Sequence, residues 1–545
     1  MASSMSTWTL LDVEQPLSLA STNSSSSTRA GFVSDDNPRN VDGSTKEAAM
    51  APSTLGLLML TFNCAKKLVN VDVLANHVHT AFTNNATTLP DVVVFALQEV
   101  APLSSAFISS RYLEEYFARF DGAVNLAARQ YESNGTPREE PLVSVAQTVS
   151  GPEPPSPQRR SYTLVAAHNV GYTAILLFAR DPDRIRNLKH AEVGFGTAEM
   201  GNKGAVGIRA LYDVDGTGAK CTEVTFVAAH LAAMEWNLAR RNANWAAIVR
   251  GLTFGDPEVI LNDLRGSEGA RVPAQPAENN DQDTEGHRLL HDVHDEQHVQ
   301  VQRAMHDISV FKPSSHLFVA GDLNYRISTS SPPPDAVFPS LDPSSPNYYP
   351  AFLPLDQLTR ERRAGRTMHG LSEHQVSFPP TYKYDVQPKL SAVPDQDETE
   401  VPWKFAKHRY PSWTDRVQYL DLPPWVKSRG DHPSMNVIAY DALPLLRSSD
   451  HRPVYLRVEV PLIPPHDLSP PASTEHTADG ETLKDPRVRL PIEVDPEAWS
   501  RRRVARQWEL AVGWGAFLGS TKEGAWIWAT LLAGGVAAWW LYKTW

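Results

Sequence analysis

Four apolar runs in this chain each end in a polar residue, and this pattern limits the fold more than any other feature. LGLLMLTF precedes Asn63, DVVVFALQ precedes Glu99, EVTFVAA precedes His230, and HLFVAG precedes Asp322. Such runs predict buried strands, and helical segments alternate with them over residues 55–460, as in a layered α/β fold. One such residue is more often a strand cap, but four predict functional groups gathered at one edge of the sheets.

The uncharged stretch from Gly524 to Tyr542 is the second constraint. As a helix it would be roughly 28 Å long, close to the ~30 Å hydrocarbon thickness of a bilayer. Aromatic residues near both of its ends suit the membrane interfaces. Residues 461–505 are rich in Pro and acidic side chains and predict a linker, so we expect 524–542 to be a transmembrane tail anchor rather than a core helix. The arginines at 501, 502, 503 and 506 should then face the cytosol.

The irregular stretches predict disorder. Residues 1–50 are rich in Ser, Thr and Asn and predict a disordered leader without a secretory signal. We expect disordered insertions in the catalytic domain near residues 131–160, 262–286, 329–347 and 388–402.

Overall charge and cysteine content exclude some classes of protein. The net charge of −12 argues against sequence-independent nucleic-acid binding, which depends on neutralising backbone phosphates. Two cysteines, Cys64 and Cys221, cannot form a disulfide framework and favour a reducing compartment. We expect a monomeric catalytic domain.

The polar residues at the strand ends suit phosphate chemistry with a metal ion. Glu99 is a hard oxygen donor that suits Mg²⁺, and Asn63 could add an oxygen nearby. Asp322 and Asn324 lie two residues apart, which suits a base and an amide that orient water. His451 follows Asp450, and Asp415 could pair with its imidazole and keep it protonated.

Eight motifs in order make the sequence similar to the inositol polyphosphate 5-phosphatases, a branch of the endonuclease/exonuclease/phosphatase superfamily. Together they cover roughly residues 57–460, and GDLNYR with PTYKYD and PSWTDR is the most specific combination. The motifs are TFN (61–63), LQEV (97–100), NKGAVGIR (202–209), HLAA (230–233), GDLNYRI (321–327), FPPTYKYD (378–385), RYPSWTDRV (409–417) and SSDHRP (448–453).

The resemblance implies a DNase I-like four-layer α/β sandwich, two packed mixed sheets flanked by helices. It implies that Mg²⁺ is held by Glu99 with Asn63 close by. Asp322 would activate the attacking water, with Asn324 steadying it. The remaining catalytic positions would be the phosphate-contacting His230 and His451, Asp415 orienting His451, and Asp450 adjoining the metal site.

Substrate contacts also follow from the matching motifs. The positions implied to bind the substrate phosphates are Lys203, Tyr325, Arg326, Tyr382, Lys383, Lys407 and Arg409. Three residues depart from the family pattern: Phe62 stands where the family has Trp, Ala65 where it has Asn, and Ala205 where it has Gly. None of them removes a residue assigned to metal or water.

The resemblance and the C-terminal stretch together predict a membrane-bound enzyme. We expect Mg²⁺-dependent removal of the 5-phosphate from a phosphoinositide, first of all phosphatidylinositol 4,5-bisphosphate, with the catalytic domain in the cytosol. The endoplasmic reticulum is the favoured membrane, while mitochondrial outer membrane and peroxisome use similar anchors. The alternatives are a superfamily nuclease acting on phosphodiesters and a membrane scaffold that binds phosphoinositides with little turnover.

Overall fold

The computed structural model describes residues 53–135, 160–269, 299–387, 401–430, 434–471 and 484–545. The expected leader over 1–50 lies outside these residues. So do most of the expected insertions near 131–160 and 388–402 and the greater part of that near 262–286.

The first sheet has six strands in the order β13-β14-β1-β2-β4-β3. Its central strands are continuous apolar runs, as expected where both faces of a sheet are covered. The β1–β2 pair is parallel, and the other pairs are antiparallel. The strands are β1 (Thr54–Asn63), β2 (Val92–Gln98), β3 (Thr163–Val170), β4 (Thr173–Ala179), β13 (Asn436–Ala442) and β14 (Val454–Pro461).

The second sheet also has six strands, in the order β5-β6-β7-β8-β12-β9. Only its β7–β8 pair is parallel. The strands are β5 (Ile185–Gly194), β6 (Gly204–Asp213), β7 (Cys221–His230), β8 (His316–Asp322), β9 (Leu371–Ser372) and β12 (Asp415–Leu420). A separate two-stranded ribbon joins β10 (Tyr384–Val386) to β11 (Trp403–Phe405).

The helices cover the outer faces of the two sheets. Alternate residues of β1 illustrate the layering: Leu57 and Met59 pack between the sheets, whereas Leu58 and Leu60 pack under the helices. The prediction of a four-layer α/β sandwich is therefore confirmed. The helices are α1 (Val71–Thr83), α2 (Leu103–Ile108), α3 (Glu114–Gly135), α4 (Leu238–Gly251), α5 (Pro257–Gly269), α6 (Gln357–Arg363), α7 (Pro424–Lys427), α8 (Pro465–Leu468), α9 (Ala498–Ser520) and α10 (Lys522–Thr544).

Strand register gathers the polar strand ends at one edge. Asn63 pairs with Gln98 in the first sheet, so Glu99 lies one residue beyond it on the neighbouring strand. In the second sheet Asp322 is the register partner of both His230 and Asp415. The four strand-end groups therefore converge at one edge, as their pattern predicted, and Asp415 at the start of β12 joins them.

The segment expected to be a linker over 461–505 differs from that expectation in its described part. Arg487 is 1% exposed, and its guanidinium donates to the carbonyl of Asp421 at 2.7 Å. From Ala498 the chain is helical and packs on α2. The prediction from composition was wrong here because the segment is held by a buried arginine and by a helix without large buried apolar residues. A sequence of that kind looks like a polar linker.

Two further predictions concern residues that the structure describes. Residues 329–347 form an irregular loop in which Phe338 packs on Tyr410, with ring centroids 5.8 Å apart. Helix α10 includes the predicted span 524–542 and is long and apolar enough to cross a membrane.

Candidate active site

Asp322 lies at the centre of the gathered residues and joins the two sheets. The Asn63 side-chain amide donates to Asp322 Oδ2 at 3.1 Å, and His230 Nε2 lies 3.4 Å from the same oxygen. Burial raises the pKa of this carboxyl, but the His230 hydrogen bond and the His451 charge outweigh burial, and the pKa is lowered. Asp322 is therefore an ionised, fully oriented carboxylate.

Asn324 is held in a left-handed conformation beside this carboxylate, with φ of 57°. Its backbone N–H donates to Asp322 Oδ1 at 3.2 Å, and its side-chain amide donates to the Leu231 carbonyl at 3.2 Å. Arg326 donates to the Asn324 side-chain oxygen and stacks over the Tyr382 ring, 4.3 Å from its centroid. Asn324 and Arg326 therefore form one ordered unit with Tyr382.

His451 and Asp415 form a buried pair. Asp415 Oδ2 lies 2.9 Å from His451 Nδ1 and also accepts from the hydroxyls of Thr381 and Thr414 at 2.7 and 2.8 Å. Burial lowers the pKa of His451, but the Asp415 and Asp322 charges outweigh it and raise the pKa to about 9. The imidazole is therefore a cation at neutral pH.

Asp322, Asp415 and His451 also resemble a metal site, because their donor atoms all lie within 4.8 Å of one another. A histidine must be neutral to bind a metal, whereas this one is cationic and hydrogen-bonded to Asp415. The trio is better described as a hydrogen-bonded His451–Asp415 pair with the Asp322 carboxylate close by.

Glu99 offers a more suitable metal ligand. It follows β2 with φ of 47°, and its carboxylate lies 3.1 Å from Lys66 Nζ and is 28% exposed. Burial raises its pKa, but the charges of His230, Lys203 and Lys66 outweigh it and lower the pKa. An ionised carboxylate with the Asn63 amide oxygen on the adjacent strand gives a hard oxygen donor set that fits Mg²⁺.

Basic side chains border this group. Lys203 Nζ contacts His230 Nε2, and burial lowers the lysine pKa to about 8. Lys383 Nζ lies 2.8 Å from Asp450 and 5.5 Å from the centroid of the Tyr382 ring. Arg409 pairs with Glu235 at 3.2 Å.

Two expected substrate contacts lie apart from the group. Tyr325 is fully buried among core residues, and its hydroxyl is 2.8 Å from both Asn242 and Thr367. That side chain therefore supports the loop that carries Asn324. Lys407 is exposed in the turn before Arg409.

The structure also identifies residues that the sequence reasoning missed. Thr381 and Thr414 fix Asp415, and Lys66 pairs with Glu99. Ser449 donates to the Asn63 carbonyl at 2.6 Å and accepts from the His451 N–H at 3.1 Å. All four lie within or beside the matching motifs, which was the available signal.

The departures from the family pattern at Ala65 and Ala205 are accommodated. Ala65 has φ of 49°, and its N–H donates to the Asn63 side-chain oxygen at 3.1 Å. Ala205 lies in β6 with its methyl group buried in the outer core of the second sheet.

The two packed mixed sheets, with carboxylates, amides and imidazoles at their strand ends, define a protein of the endonuclease/exonuclease/phosphatase type. The chain belongs to the Endonuclease/Exonuclease/phosphatase family 2, whose model matches residues 60–457.

Curated relatives share the central part of the chain. A Schizosaccharomyces pombe protein named "Probable inositol polyphosphate 5-phosphatase" is 28% identical over 67% of this chain and 24% of its own length. The Saccharomyces cerevisiae polyphosphatidylinositol phosphatase INP53 is 27% identical over 67% of this chain and 23% of its own length. The chain thus spans about a quarter of these relatives.

A solved structure is also similar. It is the inositol polyphosphate 5-phosphatase domain of SPsynaptojanin with inositol (1,4)-bisphosphate and calcium. It is 21% identical, covers 75% of this chain and 84% of its own, and has a TM-score of 0.45.

Proposed function

We propose that this chain is a Mg²⁺-dependent phosphoinositide 5-phosphatase that converts phosphatidylinositol 4,5-bisphosphate to phosphatidylinositol 4-phosphate. The observation that carries the proposal is the ionised Asp322 carboxylate, held between Asn63 of one sheet and His230 of the other. The names of the curated relatives support the choice of a 5-phosphatase.

The arrangement suits attack of water on phosphorus. The oxygen of the water bonds to phosphorus while Asp322 accepts a proton from that water. Asn324 holds the water and the phosphate in line. The bond between phosphorus and the inositol oxygen breaks, that oxygen takes up a proton from solvent, and Asp322 then returns its own proton to solvent. The His451 cation, fixed by Asp415, stabilises the negative charge on the phosphoryl oxygens.

Glu99 and Asn63 would hold the metal. Bound Mg²⁺ supplies positive charge to the phosphate oxygens. Lys66 neutralises Glu99 in this structure at 3.1 Å, so we expect its ammonium to give way when the ion binds.

The basic side chains beside the group suit a second phosphate. Lys203, Tyr382 and Lys383 lie beside His230, His451 and Asp450, where a 4-phosphate next to the scissile group would need cations. The Arg409 charge acts on Lys383, and Lys407 is exposed at the surface nearby in the chain.

We further propose that α10 crosses an intracellular membrane, with the catalytic domain on the cytosolic side. Six per cent of its most apolar window is buried within the protein, so that surface is available to lipid. The endoplasmic reticulum is the first membrane to examine, by fractionation of the tagged full-length chain.

A substrate panel tests the proposal. Full-length protein is supplied with Mg²⁺ and vesicles of phosphatidylinositol 4,5-bisphosphate, 3,4,5-trisphosphate or 4-phosphate, with soluble inositol 1,4,5-trisphosphate, and with abasic DNA. We expect phosphatidylinositol 4-phosphate as the product of the first vesicle and loss of turnover in Asp322→Ala. DNA cleavage without phosphate release would favour a nuclease. Lipid binding that survives Asp322→Ala, with no release by the wild type, would favour a scaffold.

A further inference from the structure

Helix α9 has an inner face that is fixed to the catalytic domain. The residues buried on this face are Ala498, Ala505, Glu509 and Gly513. Gly513 allows the close approach, because a Cβ there would lie 2.9 Å from Phe107 Cβ. Arg506 donates to the carbonyls of Phe107 and Ile108 at 2.9 and 3.2 Å. The orientation of α9 on the domain is therefore set.

Glu509 connects this inner face to the candidate active site. Its carboxylate is fully buried, accepts from the Gly201 N–H at 2.7 Å and pairs with Arg502. Gly201 lies two residues before Lys203, which contacts His230. The series of contacts that connects α9 to the candidate active site is thus short and begins with a hydrogen bond.

The opposite face of α9 is exposed and mainly apolar, although the exposed Gln507 also lies on it. Val504, Trp508 and Trp514 are 55%, 58% and 45% exposed, and Ala511 is exposed between them. Their spacing of four, three and three residues places them on one side of a helix. No charged side chain occurs from Leu510 to Thr521.

The outer face (Val504, Trp508, Ala511 and Trp514) continues towards the membrane-spanning helix. Thr521 alone separates α9 from α10 and caps α10 by accepting from the Gly524 N–H at 3.0 Å. Trp514 also contacts the Phe517 ring edge-to-face, and Phe517 packs on Tyr112 of the catalytic domain. An aromatic band therefore adjoins the point where the span begins, as expected at a bilayer interface.

We propose that the outer face of α9 lies in the interfacial layer of the bilayer that α10 crosses. This inference depends on the proposed span. The occupant is lipid rather than another protein because a short connection holds α9 next to the bilayer, and a Trp-bearing apolar face partitions into the interface. Since the inner face is bonded to Gly201, lipid contact fixes the position of the active site relative to the membrane surface.

Fluorescent labels on full-length protein in vesicles test the inference. The label is an environment-sensitive fluorophore on Trp508→Cys, Ala511→Cys, Leu532→Cys in α10, or Thr217→Cys in an exposed loop; Cys64 and Cys221 are buried. Vesicles contain brominated lipid as a quencher. We expect quenching at 508, 511 and 532 and none at 217.

The outcomes separate the two proposals. Quenching at 532 without quenching at 508 and 511 would keep the span and overturn the interfacial helix. Shielding at 508 without quenching, together with dimerisation, would assign the face to a second copy and also overturn it. Absence of quenching at 532 would overturn both proposals.

A matched substitution supplies an activity readout. Val504→Ser with Trp508→Ser removes the apolar face, and Val259→Ser changes a valine that is equally exposed, at 53%, on α5. We expect the first variant to lose several-fold of its turnover on vesicles and to keep its turnover of soluble inositol 1,4,5-trisphosphate. Val259→Ser should change neither. Equal vesicle turnover in both variants would contradict a role in positioning.

Discussion

The charge of His451 depends on its buried neighbours. Burial disfavours the cationic form of the imidazole. The charges of Asp415 and Asp322 together outweigh burial, so the pKa of His451 is raised to about 9. A raised pKa stabilises the folded protein fully below the ordinary histidine value of about 6.5, and that stabilisation is lost as pH rises towards 9. The expected catalytic consequence has the same sign, because the mechanism that we propose uses the cationic form of His451.

Asp415→Asn tests this dependence. We expect the wild-type kcat to fall as pH rises through about 9 and the variant to lose activity from a lower pH. Near pH 8 the kcat of the variant should be more than about tenfold below that of the wild type. The reason is that, above the pKa, each unit by which the pKa is lowered reduces the protonated fraction about tenfold. The measurement is a pH profile of kcat on soluble inositol 1,4,5-trisphosphate. An alkaline limb at the same pH in both proteins would contradict the assignment.

The sequence predicted the residues at strand ends better than their supporting neighbours. Asn63, Glu99, His230 and Asp322 stood out because each followed a long apolar run. Thr381 and Ser449 carry no such signal, since hydroxyl residues are common in loops and their partners depend on tertiary contacts. Tyr325 lay inside a matching motif, but motif membership does not reveal which way a side chain points.

At the scale of elements, Glu509 couples a C-terminal helix to a catalytic loop. Glu509→Ala leaves the Gly201 N–H without its acceptor and removes one of the two carboxylates that pair with Arg502. We expect about 3–5 kcal/mol of destabilisation, as for a broken buried pair. We also expect a lower kcat, because the loop that carries Lys203 loses its support.

Glu509→Gln separates positioning from stability. Its amide oxygen still accepts from Gly201, so kcat should recover in large part, while the melting temperature stays below that of the wild type. Glu115→Ala removes a carboxylate that is 68% exposed and serves as the control. A full kcat in Glu509→Ala would show that α9 does not position the loop.

The joint between α9 and α10 depends on a close backbone approach. A Cβ on Gly524 would lie 2.7 Å from Leu518 Cα, whereas a Cβ on Gly534 meets nothing within 4 Å. Gly524→Val should therefore move the two helices apart, and Gly534→Val should not. Spin-label distances between positions 508 and 532 in vesicles measure this. Identical distance distributions in the two variants would contradict the tight joint.

The strands were predictable from sequence, but α9 was not. Central strands such as β2, β7 and β8 are apolar runs buried on both faces. The inner face of α9 instead carries two alanines, a glutamate and a glycine, so it shows no apolar periodicity. Three of the arginines that we expected to face the cytosol, Arg501, Arg502 and Arg503, pair with acidic residues of the domain, as Arg502 does with Glu192 at 2.8 Å.

In the whole molecule, the two sheets and the C-terminal helices are physically connected. The sheets bring the acidic, amide and imidazole groups to one edge, and α9 connects that edge to the apolar helix α10. The family match confirms the sandwich, while the substrate, the metal and the membrane remain our proposals.

Mg²⁺-dependent release of the 5-phosphate tests the central proposal most directly. Vesicles carry phosphatidylinositol 4,5-bisphosphate with a radiolabelled 5-phosphate, and release is measured against Mg²⁺ concentration for the wild type, Glu99→Gln and Asp183→Asn, an exposed control. We predict saturable release that EDTA abolishes, Mg²⁺ affinity weakened by at least about tenfold in Glu99→Gln, and wild-type behaviour in Asp183→Asn. Release that persists in EDTA, or an unchanged Mg²⁺ dependence in Glu99→Gln, would contradict the account.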